Sequence, residues 1–82
     1  MNFRNRHFLT LKDFSSDEIL AILDFAHEVK RRQKAGESFR PMQGKMMAMI
    51  FQKPSLRTRV SFETGMYQLG GSALYLGPSD LD

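Results

Sequence analysis

The sequence predicts an α/β fold in which one helix is followed by a strand–helix–strand unit of a parallel sheet. Two short apolar runs, KMMAMIF at 45–51 and SALYLG at 72–77, have the length of buried strands. A helical pattern lies between the runs and ends at the pair Gly70-Gly71, which is typical of a helix C-terminus. A unit of this kind, about thirty residues long, usually has parallel strands and a right-handed crossover.

Length and composition limit the class of protein. The 82 residues suffice for one small domain. The chain has no Cys, which excludes disulfides and thiolate metal sites, and its two imidazoles, His7 and His27, are too far apart in sequence to suggest a metal site. The N-terminal residues lack the apolar core of a signal peptide, and no run is long enough to cross a membrane. We therefore expect a soluble, cytoplasmic protein without a membrane partner.

The charge balance is mildly basic, with a net charge of +3, which suits an anionic partner without specifying nucleic acid. A basic cluster at 30–34 lies at the end of the first predicted helix, where cations complement the helix dipole. A small nucleic-acid-binding module remains an alternative. It is less favoured because no recognised binding motif and no aromatic platform accompanies the cluster.

The first helix is predicted within SSDEILAILDFAHEVKRRQKAGE, at 15–37. Ser15 is a candidate N-cap with Glu18 as its capping-box partner, and Gly36 is predicted to end the helix. The preceding FLTLKDF, at 8–14, alternates weakly and predicts a short extended segment. One face of the helix is apolar and comprises Ile19, Leu20, Ile22, Leu23, Ala26 and Val29.

The run at 45–51 is predicted as a strand buried on both faces, as in a parallel sheet. Its Met residues also suit a buried helix, but a run of about seven residues between loops favours a strand. The loop before it, ESFRPMQG at 37–44, contains Pro and Gly, and the final PSDLD at 78–82 is predicted as a turn or loop.

The segment KPSLRTRVSF, at 53–62, joins the first predicted strand to the second predicted helix. A helix N-terminus presents unpaired backbone N–H groups and a partial positive charge, both of which favour an anion. Ser55 and Thr58 add hydroxyl donors, and Arg57 adds a planar guanidinium that matches two phosphate oxygens. The spacing leaves two interpretations open, an anion site and an ordinary Ser55 cap followed by exposed arginines.

The two arginines of this segment are predicted to have different roles. Arg57 and Arg59 are two residues apart, so they point to different sides of a helix. Glu63 lies one turn beyond Arg59 and is its predicted ion-pair partner. Arg57 is therefore the better candidate to face a ligand.

The longer stretch FQKPSLRTRVSFETGMYQLGG, at 51–71, resembles the carbamoyl-phosphate signature of the aspartate and ornithine carbamoyltransferases. In that family the signature is usually S-T-R-T-R, followed by a helix and a Gly-containing turn. The opening RHFLTLKDFSSDEI and the KP before the serine look more similar to the ornithine type. The resemblance runs from about Arg6 to Leu81. It implies that residues 1–82 are the N-terminal portion of an α/β, parallel-sheet carbamoyl-phosphate-binding domain, incomplete and without the amino-acid-binding domain.

The resemblance also implies roles for the loop residues. Ser55, Leu56, Arg57 and Thr58 would bind the phosphate of carbamoyl phosphate, and Arg57 would be catalytic, stabilising charge on the leaving group. The family reaction is a step of arginine biosynthesis that transfers the carbamoyl group to the δ-amino group of ornithine and releases phosphate. It uses no metal or organic cofactor, and full-length members are trimers.

Two residues depart from the family pattern. Leu56 stands where the second motif position is usually Thr, so a hydroxyl is lost while the backbone N–H remains. Gln52 stands where the family often has Glu, which removes the charge that an interdomain ion pair would need there. We expect residues 1–82 alone to be inactive and to expose a sheet edge and apolar surface. Aspartate carbamoyltransferase, another transcarbamylase and a non-catalytic anion-binding remnant remain alternatives.

Overall fold

The computed structural model describes residues 2–80, which form two compact units, one ending at Glu37 and one beginning at Ser38. The first unit contains helix α1, Ser16–Lys34. The second contains strand β1, Met46–Ile50, helix α2, Leu56–Gln68, and strand β2, Ser72–Leu76. Short 3-10 turns cover Leu11–Asp13 and Pro78–Asp80. Leu81 and Asp82, which complete the predicted final loop, lie outside the described residues.

Helix α1 begins with the predicted capping box. The Ser15 hydroxyl oxygen accepts a hydrogen bond from the Glu18 N–H at 3.1 Å, and Glu18 Oε1 accepts one from the Ser15 N–H at 2.9 Å. The bond from the Ser15 backbone, followed by the contact with Arg6, lowers the pKa of the Glu18 carboxyl. The capping box therefore satisfies the backbone N–H groups of Ser15 and Glu18 at the start of α1.

The segment before α1 is not extended throughout, so that part of the prediction is wrong. Leu11–Asp13 form a 3-10 turn, in which the Thr10 side chain accepts a hydrogen bond from the Lys12 N–H at 3.3 Å. Hydroxyl side chains of this kind offer the backbone a local turn in place of an extended conformation. The weak alternation of polar and apolar residues did not outweigh this local bond.

Arg6 connects the N-terminal segment to the start of α1. Its guanidinium pairs with the Glu18 carboxylate and donates a hydrogen bond to the Asp13 carbonyl at 2.8 Å. The same group lies 4.5 Å from the centroid of the Phe14 ring, and the rings of Phe8 and Phe14 are 4.9 Å apart. These contacts order the residues before α1 around one arginine.

Strands β1 and β2 are parallel, as predicted, with Met46 paired to Ser72 and Ile50 paired to Leu76. Helix α2 connects them and packs against β2. The α/β class and the strand–helix–strand order are therefore confirmed. The loop at 51–55 starts at the carboxyl end of β1, the end of a parallel sheet at which α/β proteins bind ligands.

Both helices end at glycines in the left-handed conformation, with φ of 74° at Gly36 and 93° at Gly70. In α2 the Gly71 N–H donates a hydrogen bond to the Met66 carbonyl at 2.8 Å, and the Gly70 N–H donates one to the Tyr67 carbonyl at 3.0 Å. This pair of bonds is the Schellman arrangement. The predicted termini of both helices are confirmed.

The prediction that the first strand is buried on both faces is wrong for the described residues. Met49 is 5% exposed, but Met46 is 65% and Ile50 is 62% exposed. Met46 and Ile50 are exposed because the described sheet has two strands, so β1 is at its edge, and because α2 packs against β2. The expectation of open apolar surface is confirmed, with Leu74 and Val60 also about half exposed.

Candidate anion-binding site

The loop between β1 and α2 borders an open pocket with a volume of about 130 Å³. Because β1 and β2 are parallel, Tyr75 near the carboxyl end of β2 also borders this pocket. The lining residues are Pro54, Ser55, Leu56, Arg59 and Tyr75. The structure thus brings two of the four predicted binding residues to the pocket, while Arg57 and Thr58 lie next to them on the first turn of α2.

Ser55 occupies the N-cap position of α2 but does not cap it. Its side chain makes no capping hydrogen bond; the hydroxyl instead donates to the Thr58 hydroxyl oxygen at 3.0 Å. Within residues 2–80, the backbone N–H groups of Leu56, Arg57 and Thr58 donate no hydrogen bond. The ordinary-cap interpretation needs a bond that is missing, so the geometry favours the anion-site interpretation.

The charges at the start of α2 also favour an anion. The first turn contains no acidic residue. The Arg57 side chain is exposed, and it makes no ion pair with any residue in the described part of the chain. A guanidinium and a helix N-terminus together produce a positive potential at one end of α2.

Arg59 has the structural role that the spacing predicts. Its Nε donates a hydrogen bond to Glu63 Oε1 at 2.8 Å. Its guanidinium also lies over the Tyr75 ring, 4.0 Å from the ring centroid. Sequence reasoning missed Tyr75, although pairing the two strands in parallel register would have placed its backbone beside Met49 at the same end of the sheet.

The two departures from the family pattern both lie on the surface. Leu56 is 75% exposed, and its side chain lines the pocket where a hydroxyl was expected by resemblance. Gln52 is exposed in the loop that follows β1. The Leu56 backbone N–H is unaffected by the change of side chain, so it is available to an anion.

The basic cluster at 30–34 is partly neutralised by neighbouring carboxylates. Arg31 and Arg32 both donate hydrogen bonds to Glu28 Oε1, at 2.8 and 3.0 Å, and Arg31 also pairs with Glu37 at 3.2 Å. The bonds from Arg31 and then Arg32 lower the pKa of Glu28 from 4.5 to about 2. This pairing fits a helix C-terminus better than a nucleic-acid surface.

Two other kinds of site are absent from residues 2–80. No group of three His, Asp or Glu side chains at 2–80 is arranged to hold a metal ion. Neither of the helices described there combines the length and apolar character needed to cross a membrane.

A parallel strand–helix–strand unit whose helix begins with uncapped N–H groups and an exposed arginine is an α/β arrangement that favours phosphate binding. Residues 6–82 match the family described as aspartate/ornithine carbamoyltransferase, carbamoyl-P binding domain. This chain belongs to that family. The resemblance stated from the sequence is confirmed.

Known proteins give the same assignment. The chain is 58% identical over 81 residues to the ornithine carbamoyltransferase of Geobacillus stearothermophilus, covering 99% of this chain and 26% of that protein. The solved structure of ornithine carbamoyltransferase from Pyrococcus furiosus superposes with a TM-score of 0.94 at 50% identity, over 100% of this chain and 26% of that one. The catalytic subunit of M. jannaschii aspartate transcarbamoylase superposes with a TM-score of 0.80 at 38% identity, over 87% and 23%. The chain therefore spans about a quarter of the length of these relatives.

Proposed function

We propose that these residues form the phosphate-binding part of the carbamoyl-phosphate site of an ornithine carbamoyltransferase. The observation that carries the proposal is the start of α2, where the N–H groups of Leu56, Arg57 and Thr58 are unpaired among residues 2–80 and no acidic residue lies in the first turn. Residues 1–82 would be the N-terminal portion of the carbamoyl-phosphate-binding domain. The amino-acid-binding domain would lie outside them.

The chemistry of the site follows from its donors. Carbamoyl phosphate carries its negative charge on phosphate oxygens, which the N–H groups of 56–58 and the Thr58 hydroxyl can bind. The Ser55 hydroxyl can join them by turning from Thr58 to the anion. The reaction forms a bond from the ornithine δ-nitrogen to the carbamoyl carbon and breaks the bond from that carbon to the phosphate oxygen. Charge grows on the departing phosphate, and the Arg57 guanidinium would stabilise it as the transition state forms.

Ornithine is the proposed acceptor because relatives with 50% to 58% identity are named ornithine carbamoyltransferases. Aspartate carbamoyltransferase is the second candidate, supported by the likeness to the M. jannaschii catalytic subunit. We place the activity in the cytoplasm and propose a homotrimer for the full-length protein, as the family resemblance implies. The pairing of Arg31 and Arg32 with Glu28 gives the nucleic-acid alternative less support.

Steady-state kinetics of the protein at its native length tests the proposal, with carbamoyl phosphate and either ornithine or aspartate as the second substrate. We expect citrulline formation, and Arg57→Ala should lower kcat/KM by about 100- to 1,000-fold, the usual effect of removing one donor to developing charge. Arg40→Ala is the matched control, because Arg40 lies beside Gly70 at the opposite end of α2.

The outcomes separate the alternatives. Turnover with aspartate instead of ornithine would show that the proposed acceptor is wrong and would leave the proposed phosphate site intact. An Arg57→Ala variant with full activity would refute the catalytic assignment. We expect no measurable citrulline from residues 1–82 expressed alone, since they span about a quarter of the relatives' length.

A further inference from the structure

Tyr75 lies where both strands and α2 meet. Its ring faces the Arg59 guanidinium at 4.0 Å and meets the Phe51 ring edge-on, with centroids 5.5 Å apart and planes at 83°. Phe51 is in turn held to β2, because its N–H donates a hydrogen bond to the Leu76 carbonyl at 2.9 Å. The ring of Tyr75 therefore joins the end of β1, the end of β2 and the first turns of α2.

Arg59 connects this aromatic contact to the candidate site. Its backbone N–H donates a hydrogen bond to the Ser55 carbonyl at 3.0 Å, the first helical bond of α2. Its side chain is fixed at two points, by the Glu63 carboxylate and by the Tyr75 ring. The ion pair is more than 40% exposed on both sides, so on its own it restrains Arg59 weakly. The stacked ring supplies the more specific restraint, because a planar guanidinium fits an aromatic face.

We infer that Tyr75, acting through Arg59, is a positioning residue for the anion site. It fixes the first turn of α2 against the carboxyl end of β2, so that Arg57 and the N–H groups of 56–58 converge on one place. The inference rests on the proposed function and adds to it a residue outside the binding loop. Tyr75 binds no substrate in this account; its contact with Arg59 orients the groups that do.

Equilibrium binding of carbamoyl phosphate to the native-length protein tests the inference, together with the KM for carbamoyl phosphate and kcat. Tyr75→Leu removes the aromatic face and keeps an apolar side chain. We expect Kd and KM to rise by about three- to tenfold, the range that corresponds to one partly exposed cation–π contact. The value of kcat should fall less, and the KM for the amino-acid acceptor should stay unchanged.

Two variants serve as controls. Tyr75→Phe keeps the ring over Arg59 and should bind within about twofold of the unmodified protein, since the cation–π contact needs the ring alone. Tyr67→Leu makes the same change at a tyrosine of α2 that is 75% exposed, and should also leave Kd unchanged. Loss of folded protein would lower the number of binding sites without changing Kd, so the titration separates positioning from stability.

Arg57→Ala distinguishes failure of the inference from failure of the proposed function. If the unmodified protein does not bind carbamoyl phosphate, or binds it equally well as Arg57→Ala, both ideas are refuted. If Arg57→Ala abolishes binding while Tyr75→Leu leaves Kd unchanged, the inference alone is wrong. It is also wrong if Tyr75→Phe is as weak as Tyr75→Leu, because the hydroxyl and not the ring would then matter.

Discussion

The two helices of this chain start in opposite ways. Each has a serine at the N-cap in an extended conformation, Ser15 before α1 and Ser55 before α2. Ser15 and Glu18 each accept a hydrogen bond from the other's backbone N–H at the start of α1, and acidic side chains complement the helix dipole. Ser55 does not satisfy the start of α2, whose first turn has no acidic residue and contains Arg57. One helix start has a capping box and acidic side chains, and the other has neither.

This difference explains why the same residue type predicts different functions at two positions. A serine before an apolar helical pattern usually indicates a cap. The residues that follow decide whether the cap is used, because a Glu three residues later completes it, while a Thr at that position draws the Ser55 hydroxyl away from the backbone. Stability is therefore the expected role of Ser15, and binding is the expected role of Ser55.

A carboxylate placed at the start of α2 should change carbamoyl-phosphate affinity more than the other substitutions that distinguish the two helix starts. Leu56→Glu makes the first turn of α2 resemble that of α1. We expect carbamoyl-phosphate affinity to fall by about 5- to 1,000-fold, because like charges a few ångströms apart at a protein surface repel by roughly 1 to 4 kcal/mol. Titration calorimetry at low salt measures the change.

Leu56→Gln is the matched neutral control and should bind within about twofold of the unmodified protein, as surface substitutions usually have small effects. Leu56→Thr restores the family's hydroxyl and should tighten binding, by about 0.5 to 1.5 kcal/mol for one added hydrogen bond. Equal affinity of the Glu and Gln variants would contradict an anion site at this helix start.

Removing each serine hydroxyl separates stability from binding. Ser15→Ala should destabilise α1 by about 1 kcal/mol, the usual cost of losing an N-cap, and leave carbamoyl-phosphate binding unchanged. Ser55→Ala should weaken binding and change stability by less than about 0.5 kcal/mol, since no capping bond is lost. Hydrogen exchange of the helix amides and calorimetry give the two quantities. A stability loss at Ser55 equal to that at Ser15 would mean that both serines are ordinary caps.

Lowering the pH should destabilise α1 by protonating Glu28. This is the smallest of the expected effects. The pKa of Glu28 is lowered from 4.5 to about 2 by hydrogen bonds from Arg31 and Arg32. The ionised form is therefore favoured by folding, so its contribution is present above pH 4.5 and is lost as the pH falls through about 2. Because the group is exposed, salt should reduce the effect.

A carbon-13 titration of the Glu28 carboxyl by NMR measures this pKa directly. Replacing both Arg31 and Arg32 with Gln should return the midpoint toward 4.5. A midpoint near 4.5 in the unmodified protein would show that the ion pairs do not persist in solution.

The features that could be predicted from the sequence are those set by residues close together in the chain. The capping box at Ser15, the glycine termini at Gly36 and Gly70, and the pairing of Arg59 with Glu63 each depend on residues within about one helical turn. The order of strand, helix and strand was also predictable, because each element has its own apolar pattern.

The features that were missed depend on partners distant in sequence, with one local exception. The contact of Tyr75 with Arg59 needs the parallel register of β1 and β2, which no local pattern specifies. Met46 was predicted to be buried but is exposed. An apolar strand indicates that other elements pack on its faces, but the strand's own sequence does not show which residues do so. The exception is the turn at Leu11–Asp13, where one hydroxyl bond outweighed a weak alternation.

The most direct test of the anion site proposed at the start of α2 is a titration of the native-length protein with carbamoyl phosphate, followed by the backbone amide signals at both helix starts. We expect the amides of 56–58 to shift in a saturable way. Those of 16–18 should not shift, because Asp17 and Glu18 are acidic and the Glu18 N–H is bonded to Ser15. Shifts of equal size at both starts, or saturable binding that leaves 56–58 unchanged, would contradict this expectation.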